Sequence, residues 1–145
     1  VGVLPVLDFP LVGLDPAVAR EWLAVSCAAA VVAGHVYPVW YEFRGGKGAA
    51  TLIGAVAVLA PAALLPVVLT WLACVTLTGY VGLGTMVGAA TLPVYFALAG
   101  TGSAALVAFG LAMAAFVVYT HRSNLARMLS GNENRARRLW LLRPR

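Results

Sequence analysis

Charged side chains are absent from two long parts of the chain. Residues 22–41 and 48–120 contain no Asp, Glu, Lys or Arg. Within these parts Ala, Val and Leu follow one another without the alternation of polar and apolar residues that a membrane β-barrel shows. A backbone in lipid must satisfy its own hydrogen-bonding groups, so such runs form helices. The pattern therefore predicts an all-α, polytopic transmembrane helical bundle.

Glycine and proline divide the apolar runs into separate helices. Asp15-Pro16 is a typical helix start, and Pro61, Gly79 and the turn at 100–103 are breaks. The predicted helices cover about residues 17–34, 49–60, 62–78, 80–98 and 104–120. Residues 1–7 are interpreted as the end of a span that begins upstream. The prediction is about five complete spans plus the tail of a truncated one.

The overall composition also indicates a membrane environment. Hydrophobic residues make up 62% of the 145 residues and charged residues only 10%, whereas about 25% of a soluble domain is charged. Cys27 and Cys74 fall inside predicted helices, which indicates small buried apolar side chains and not a disulfide. No H-E-x-x-H or C-x-x-C motif is present, so we expect no metal and no other cofactor.

The positive charges define the two sides of the predicted bundle. Nine of the ten Lys and Arg residues lie in the segments 35–48 and 121–145. Four predicted crossings separate Lys47 from His121, and two long crossings are the less suitable alternative. Either number is even and brings both segments to one side. The positive-inside tendency assigns that side to the cytoplasm. We therefore expect a multi-pass protein of the cell (inner or plasma) membrane with a basic cytoplasmic tail at 135–145.

The same charges suggest which partners to expect. Anionic lipid headgroups are the expected nonspecific partner of the basic segments. The net charge of +5 follows from the topology and needs no nucleic-acid partner to explain it. No obligate protein partner is predicted.

Two segments on the basic side hold most of the reactive side chains. They read GHVYPVWYEFRGGKGAAT at 34–51 and HRSNLARMLSGNEN at 121–134. Glycines let backbone N–H groups approach a ligand closely, and flanking cations favour an anion, so the first segment predicts a phosphate site. The candidates are His35, Arg44, Gly45, Gly46, Lys47, Gly48, His121, Arg122, Asn124, Arg127, Gly131 and Glu133.

The sequence also allows a purely structural role for several of these residues. Arg44 and Lys47 are also typical topology anchors beside a membrane, although an anchor does not require three glycines around it. His35 suits a hydrogen bond to a backbone carbonyl, and His121 suits the C-terminal end of a helix. The Walker A spacing, the G-x-S-x-G elbow and the His-x4-Asp pair of soluble-type acyltransferases are all absent.

Together the two segments resemble the PlsY family of membrane glycerol-3-phosphate acyltransferases, which use acyl phosphate as the acyl donor. One family motif reads G-H-x-x-P followed by F-[KR]-G-G-K-G-x-A-T, and it is present at 34–38 and 43–51. Another reads H-R-x-N-[IL]-x-R-[LM]-x-x-G-x-E and is present at 121–133. The resemblance marks residues 1–134 as a transmembrane acyltransferase domain.

The chain departs from the family pattern at two places. The family's first motif, a Gly/Ser/Asn-rich loop with a Ser and an Arg, is absent and is expected upstream of Val1 together with the first span. An Arg-Tyr-Val-Ser stretch that is common in the family reads Gly79-Tyr80-Val81-Gly82 here. Contacts made by that Arg or Ser are therefore expected to be missing.

The resemblance implies a reaction and a role for each residue. The 1-hydroxyl of glycerol 3-phosphate attacks the carbonyl of acyl phosphate and gives lysophosphatidate and phosphate, the first step of phospholipid synthesis. His121, Asn124 and Lys47 are the implied catalytic residues, and either His121 or a substrate phosphate takes the proton. The implied substrate-binding residues are Arg44, Gly45, Gly46, Gly48, Arg122 and His35, and Glu133 is assigned a structural role.

Other functions remain as alternatives. A non-catalytic polytopic protein, such as a transporter or assembly subunit, fits the hydropathy, but the charge-free stretch at 48–120 supplies no polar pathway. A phosphatidyl transferase would use a cluster of Asp residues to hold a metal, and the chain has only Asp8 and Asp15. The remaining alternative is an inactive fragment of the acyltransferase, because the first motif is missing.

Overall fold

The computed structural model describes residues 16–100, 103–137 and 139–141. Its helices are α1 Pro16–Val36, α2 Ala49–Leu59, α3 Leu64–Thr78, α4 Val81–Leu98, α5 Ala104–Thr120 and α6 Arg122–Leu129. Short 3-10 turns lie at Val39–Tyr41 and Pro61–Ala63, and the described residues contain no strand. The all-α prediction is thus confirmed. The proposed end of an upstream span and the loop before Pro16 lie outside the described residues.

The helix boundaries follow from local residues at the predicted breaks. Gly79 has a left-handed backbone (φ +78°) and donates its N–H to the carbonyl of Val75, which ends α3. The side chain of Ser103 accepts a hydrogen bond of 3.3 Å from the N–H of Leu106 and caps the start of α5. These signals act over a few residues, which is why the sequence predicted them.

Several helices are long and apolar enough to cross a membrane. Among the described residues these are Arg20–Tyr41, Pro61–Thr78 and Val81–Leu98, and α5 with α6 makes a fourth if this pair, bent by 55°, is one span. Helix α2 has 11 residues, which rise about 16 Å, roughly half of the hydrocarbon thickness. A bundle with several spans is confirmed, but the predicted count of five complete spans is not.

Helix α4 occupies the middle of the bundle, between α3 and α5. Glycines make this close packing possible: a Cβ on Gly84 would lie 2.7 Å from Cγ2 of Val75, and one on Gly110 would lie 2.9 Å from the backbone N of Pro93. Small residues at helix contacts are typical of membrane bundles, where backbones approach closely. Leu92 and Phe96 on α4 are almost completely buried in the resulting core.

The outer surface of the bundle is apolar. Val58 is 84% exposed and Leu98 is 82% exposed, which suits contact with lipid. Cys27, predicted to be buried, is exposed because α1 packs through one face only, whereas Cys74 is partly buried. Both thiols are free.

Three connections meet at one end of the bundle. They are the loop between α1 and α2, the turn between α3 and α4, and the junction between α5 and α6. Helices α2 and α3 leave this end and return to it, and α4 and α5 repeat that path. This arrangement brings the two motif segments together.

Candidate functional site

A backbone contact joins the two motif segments. The side-chain hydroxyl of Thr120 lies 3.0 Å from the carbonyl oxygen of Lys47 and donates to it. The same hydroxyl lies 3.0 Å from the carbonyl oxygen of Val117, which is one turn earlier on α5. The end of α5 is therefore in direct contact with the glycine-rich loop. The next residue along the chain is His121.

A chain of hydrogen bonds crosses the site from Lys47 to Arg127. The Nζ of Lys47 donates to Oδ1 of Asn124. The Nδ2 of Asn124 donates to Oε1 of Glu133 at 2.6 Å, and the Nε of Arg127 donates to Oε2 of the same carboxylate at 2.6 Å. Asn124 is only 8% exposed. Its amide orientation is fixed, because a cation faces its oxygen and a carboxylate faces its nitrogen.

Glu133 accepts its two hydrogen bonds as an ionised carboxylate. Burial raises its pKa, but the hydrogen bonds from Arg127 and Asn124 and the charges of Arg127 and Lys47 outweigh burial, so the pKa lies below its ordinary value. Its predicted role was structural, and its partners here are side chains of the protein. Glu133 and Arg127 form an ion pair, in which the side chain of Glu133 is only 8% exposed.

His121 is buried at the junction that follows α5, with 5% of its surface exposed. Its Nδ1 lies 2.8 Å from the carbonyl oxygen of Val117. A carbonyl only accepts, so Nδ1 carries the proton, and Nε2 of the neutral ring has the free lone pair. Burial lowers the pKa of His121 and the charge of Lys47 adds to this, against the opposing effect of the Val117 carbonyl. The ring is thus neutral near pH 7 and able to accept a proton.

A cavity of about 390 Å³ is lined by Lys47, His121, Asn124 and Glu133 of this site, and we call it the polar cavity. Its charged and hydrogen-bonded side chains belong to the two motif segments and to the residues that follow them. The start of α4 forms the remaining wall. A Cβ on Gly82 would lie 3.0 Å from the side chain of Asn124, so the bare backbone of α4 makes room for this amide. The lining residues are Lys47, Val81, Gly82, Thr85, His121, Asn124, Glu133, Asn134, Arg135 and Ala136.

A second, apolar cavity of about 310 Å³ lies between α2, α3 and α4, and we call it the apolar cavity. Thr85 lines both cavities. The apolar cavity continues along Leu52, Trp71 and Leu92 towards the middle of the bundle. The two cavities therefore share Thr85 as part of their walls.

The glycines of the loop serve close packing. The N–H groups of Gly45 and Gly46 donate to the carbonyls of Val36 (3.0 Å) and His35 (3.2 Å). A Cβ on Gly45 would lie 2.0 Å from the His35 carbonyl oxygen, and one on Gly46 would lie 2.4 Å from His35 Nε2. The expectation that these two amides are offered to a phosphate therefore does not fit this structure. Their N–H groups fold the loop onto the end of α1.

Four other predicted site residues lie away from the polar cavity. Arg44 is exposed on the loop, and His35 is also exposed, with its ring against Gly46. Arg122 donates to the carbonyl of Tyr119 at 3.0 Å and its guanidinium lies 4.4 Å from the centre of that ring. Gly48 has a left-handed backbone (φ +81°) and is buried against α1 immediately before α2 begins. Its conformation accounts for the glycine.

The sequence interpretation did not assign Thr85, Thr120 or Arg135 to the site. Arg135 was read as part of a solvated basic tail. Arg135 is exposed in the structure, as predicted, and it also lies in the wall of the polar cavity. Its position two residues after Glu133 was the feature of the sequence that could have assigned it to the site.

The model of the family described as glycerol-3-phosphate acyltransferase matches residues 2–131. The chain belongs to the glycerol-3-phosphate acyltransferase family. A glycerol-3-phosphate acyltransferase of Desulforamulus reducens is 42% identical over 109 residues, which cover 75% of this chain and 54% of that protein. One of Desulforudis audaxviator is 40% identical over 122 residues, which cover 84% of this chain and 61% of that protein.

Solved structures of the glycerol-3-phosphate acyltransferase family share the fold. The crystal structure of PlsY, an integral membrane glycerol 3-phosphate acyltransferase, in its glycerol 3-phosphate form has a TM-score of 0.75 at 32% identity. That comparison covers 79% of this chain and 56% of PlsY. The lysophosphatidic acid form of PlsY has the same TM-score and identity. This chain is accordingly an integral membrane member of the family that spans a little more than half the length of these relatives.

Proposed function

We propose that the chain transfers an acyl group from acyl phosphate to the 1-hydroxyl of glycerol 3-phosphate. The products are lysophosphatidate and inorganic phosphate. The names of the relatives and the two PlsY forms, with glycerol 3-phosphate and lysophosphatidic acid, support this substrate and this product. The observation that carries the proposal is the neutral, buried His121 beside Lys47 and Asn124 in the polar cavity.

The proposed step needs no nucleophilic side chain. The hydroxyl oxygen of glycerol 3-phosphate forms a bond to the acyl carbonyl carbon, and the bond between this carbon and the phosphate oxygen breaks. The phosphate leaves with the electron pair of that bond. The hydroxyl proton passes to Nε2 of His121, with an oxygen of a substrate phosphate as the alternative acceptor. Phosphate is a good leaving group, so positioning and charge stabilisation account for most of the catalysis.

Lys47 and Asn124 supply the polar contacts of this step. Lys47 offers an ammonium group to the negative oxygens that develop as the carbonyl is attacked. The Nδ2 of Asn124 has a second hydrogen, which makes no hydrogen bond among the described residues and is available to a substrate oxygen. The carboxylate of Glu133 holds the amide in this orientation. Asn124 thereby couples a structural ion pair to the reacting groups.

The apolar cavity supports an acyl phosphate as the donor. Its walls are almost entirely hydrocarbon, and it adjoins the polar cavity at Thr85. An acyl chain of the donor in the apolar cavity leaves its phosphate among the charged groups of the polar cavity. A donor that enters from the bilayer already has its acyl chain out of water, so the apolar cavity orients the donor and adds little hydrophobic free energy to its binding.

The reaction is proposed to take place at the cytoplasmic face of the cell membrane. The support is the distribution of charge, because six of the seven Lys and Arg residues that the structure describes belong to the segments on the side of the polar cavity. Arg44 and Arg122, which lie outside the polar cavity, suit contacts with anionic headgroups at this face. Glycerol 3-phosphate then enters from water and the acyl donor from the bilayer.

A reconstituted transfer assay tests the proposal. The chain is placed in lipid nanodiscs with palmitoyl phosphate and labelled glycerol 3-phosphate, and lysophosphatidate is separated and counted. We expect product that depends on both substrates and on His121. Binding of glycerol 3-phosphate without any ester product contradicts the proposed activity and favours a non-catalytic piece. Product formed only from an acyl thioester contradicts the assignment of the donor.

A further inference from the structure

The segment after Glu133 is docked on the turn between α3 and α4. The N–H of Ala136 donates to the carbonyl of Gly79 at 2.7 Å, and the N–H of Leu141 donates to the carbonyl of Thr76 at 2.9 Å. The indole N–H of Trp140 donates to the carbonyl of Leu77 at 3.1 Å. Carbonyls at the C-terminal end of a helix have no partner within it. The segment therefore caps α3 and is part of the folded unit.

Docking leaves Arg135 between two aromatic rings. Its guanidinium carbon lies 4.6 Å from the centre of the Tyr80 ring and 4.3 Å from the Trp140 ring. Cation–π contacts of this kind restrict a long side chain that would otherwise sample many rotamers. Gly79 permits the approach, since a Cβ there would lie 3.1 Å from Cβ of Arg135 and from Cγ of Trp140.

The charge of Arg135 is available to a ligand. It lines the polar cavity with Lys47 and His121. The carboxylate of Glu133 is occupied by Arg127 and Asn124, and no described carboxylate pairs with Arg135. A held cation without an acidic partner, in the wall of a water-accessible cavity, is suited to an anion. The planar guanidinium offers two parallel N–H groups to two phosphate oxygens, which a lysine does not.

We propose that Arg135 binds a phosphate group of the substrate in the polar cavity, and that Trp140 and Tyr80 position it. The proposal rests on the proposed function for the identity of the phosphate compound. Its chemistry is shared by the phosphate of glycerol 3-phosphate and that of the acyl donor. Lys47 and Arg135 then hold the substrate from two distant parts of the sequence, the loop before α2 and the segment after α6.

Binding measurements on the chain in nanodiscs test the proposal. The probes are glycerol 3-phosphate and inorganic phosphate, and the variants are Arg135→Ala, Arg135→Lys and the control Arg137→Ala. Arg137 is an exposed cation of the same segment that does not line the polar cavity. We expect Arg135→Ala to weaken binding roughly tenfold to a hundredfold, Arg135→Lys to recover part of it, and Arg137→Ala to stay within about twofold of the parent. Equal binding by Arg135→Ala and the parent overturns the proposal.

Kinetics identify which phosphate Arg135 holds. A rise in KM for glycerol 3-phosphate alone assigns the acceptor phosphate, and a rise in KM for palmitoyl phosphate alone assigns the donor phosphate. Trp140→Ala, which removes one ring and the contact with Leu77, is expected to weaken phosphate binding less than Arg135→Ala while helix content by circular dichroism is unchanged. Unchanged binding in Trp140→Ala overturns the positioning role of the ring.

The outcomes separate this inference from the proposed function. If the parent binds glycerol 3-phosphate without transfer and Arg135→Ala loses binding, the inference stands and the acyltransferase proposal falls. If the parent transfers acyl groups and Arg135→Ala equals it in binding and KM, only the inference falls. A parent that neither binds phosphate compounds nor transfers acyl groups overturns both.

Discussion

Lys47 donates a hydrogen bond to the side-chain oxygen of Asn124, although the two residues are 77 positions apart. One belongs to the glycine-rich loop before α2 and the other to α6. The contact makes the two motif segments one site and ties the position of the cation to the ion pair between Glu133 and Arg127. A substitution in one motif segment should therefore disturb the other segment through this hydrogen bond.

Replacement of Lys47 by Ala should abolish most acyl transfer. The variant loses the cation that stabilises negative oxygens, and loss of one such group costs about a hundredfold or more in rate. Initial rates in nanodiscs measure the effect, and recovery of the variant in the membrane fraction checks its insertion. Arg44→Ala, which removes an exposed cation three residues earlier, is the control and should stay near the parent. A near-normal rate for Lys47→Ala would remove Lys47 from the reacting site.

The rate of acyl transfer should fall when His121 is protonated. Burial and the charge of Lys47 hold the pKa of His121 below 6.5, so the rate should be level above about pH 6.5 and decline below it. In His121→Gln the rate should be low and this acidic decline should disappear. A substrate phosphate has a second pKa near 6. An acidic decline that persists in His121→Gln would assign the proton to that phosphate.

The free energy of unfolding of the parent chain should depend on pH through the ionisation of Glu133. The folded pKa of Glu133 lies below its ordinary value of 4.5. The stabilisation is therefore complete above the unfolded pKa and is lost as the pH falls through the folded pKa. Melting temperatures of Glu133→Gln should be lower than those of the parent at pH 7, and the gap should narrow towards pH 3. A constant gap over this range would contradict the role of the carboxylate charge.

Glycines of the loop should tolerate substitution in an order set by their surroundings. Gly45→Ala should be the most destabilising, by about 1–3 kcal/mol or more, because its Cβ would lie 2.0 Å from a backbone carbonyl. Gly46→Ala should cost less, since the atom it meets belongs to the movable side chain of His35. Gly54→Ala on α2 is the control, as nothing lies within 4 Å of its Cβ. Thermal unfolding in one detergent gives the order, and equal effects of Gly45→Ala and Gly54→Ala would contradict it.

A large side chain at Thr85 should separate the two cavities. Thr85→Phe places a ring at the residue that lines both cavities, so transfer from palmitoyl phosphate should fall roughly tenfold or more. Transfer from butyryl phosphate should fall less, because a short chain extends little beyond the polar cavity. Thr85→Val keeps the shape without the hydroxyl and should resemble the parent. Equal losses with both donors would mean that the acyl chain follows another path.

Local chemistry explains the features that could be predicted from the sequence. The charge-free runs indicated helices, and Pro61, Gly79 and the turn at 100–103 marked their ends to within a few residues. The motifs around Lys47 and His121 were sufficient to indicate the family. Each of these signals lies within a short stretch of chain, where hydropathy, backbone restriction and motif spacing act directly.

The partners within the site were decided by the tertiary structure. Gly45 and Gly46 turned out to use their N–H groups on the end of α1, and Arg135 lies in the wall of the polar cavity although it looked like part of a solvated tail. These outcomes depend on how α4 packs between α3 and α5 and where the connections then meet. The helices, the membrane environment and the family follow from local residue patterns and could therefore be predicted before the structure was known. Only the packing of distant helices decided which cations and amides share one cavity, because contacts between residues so far apart leave no local pattern.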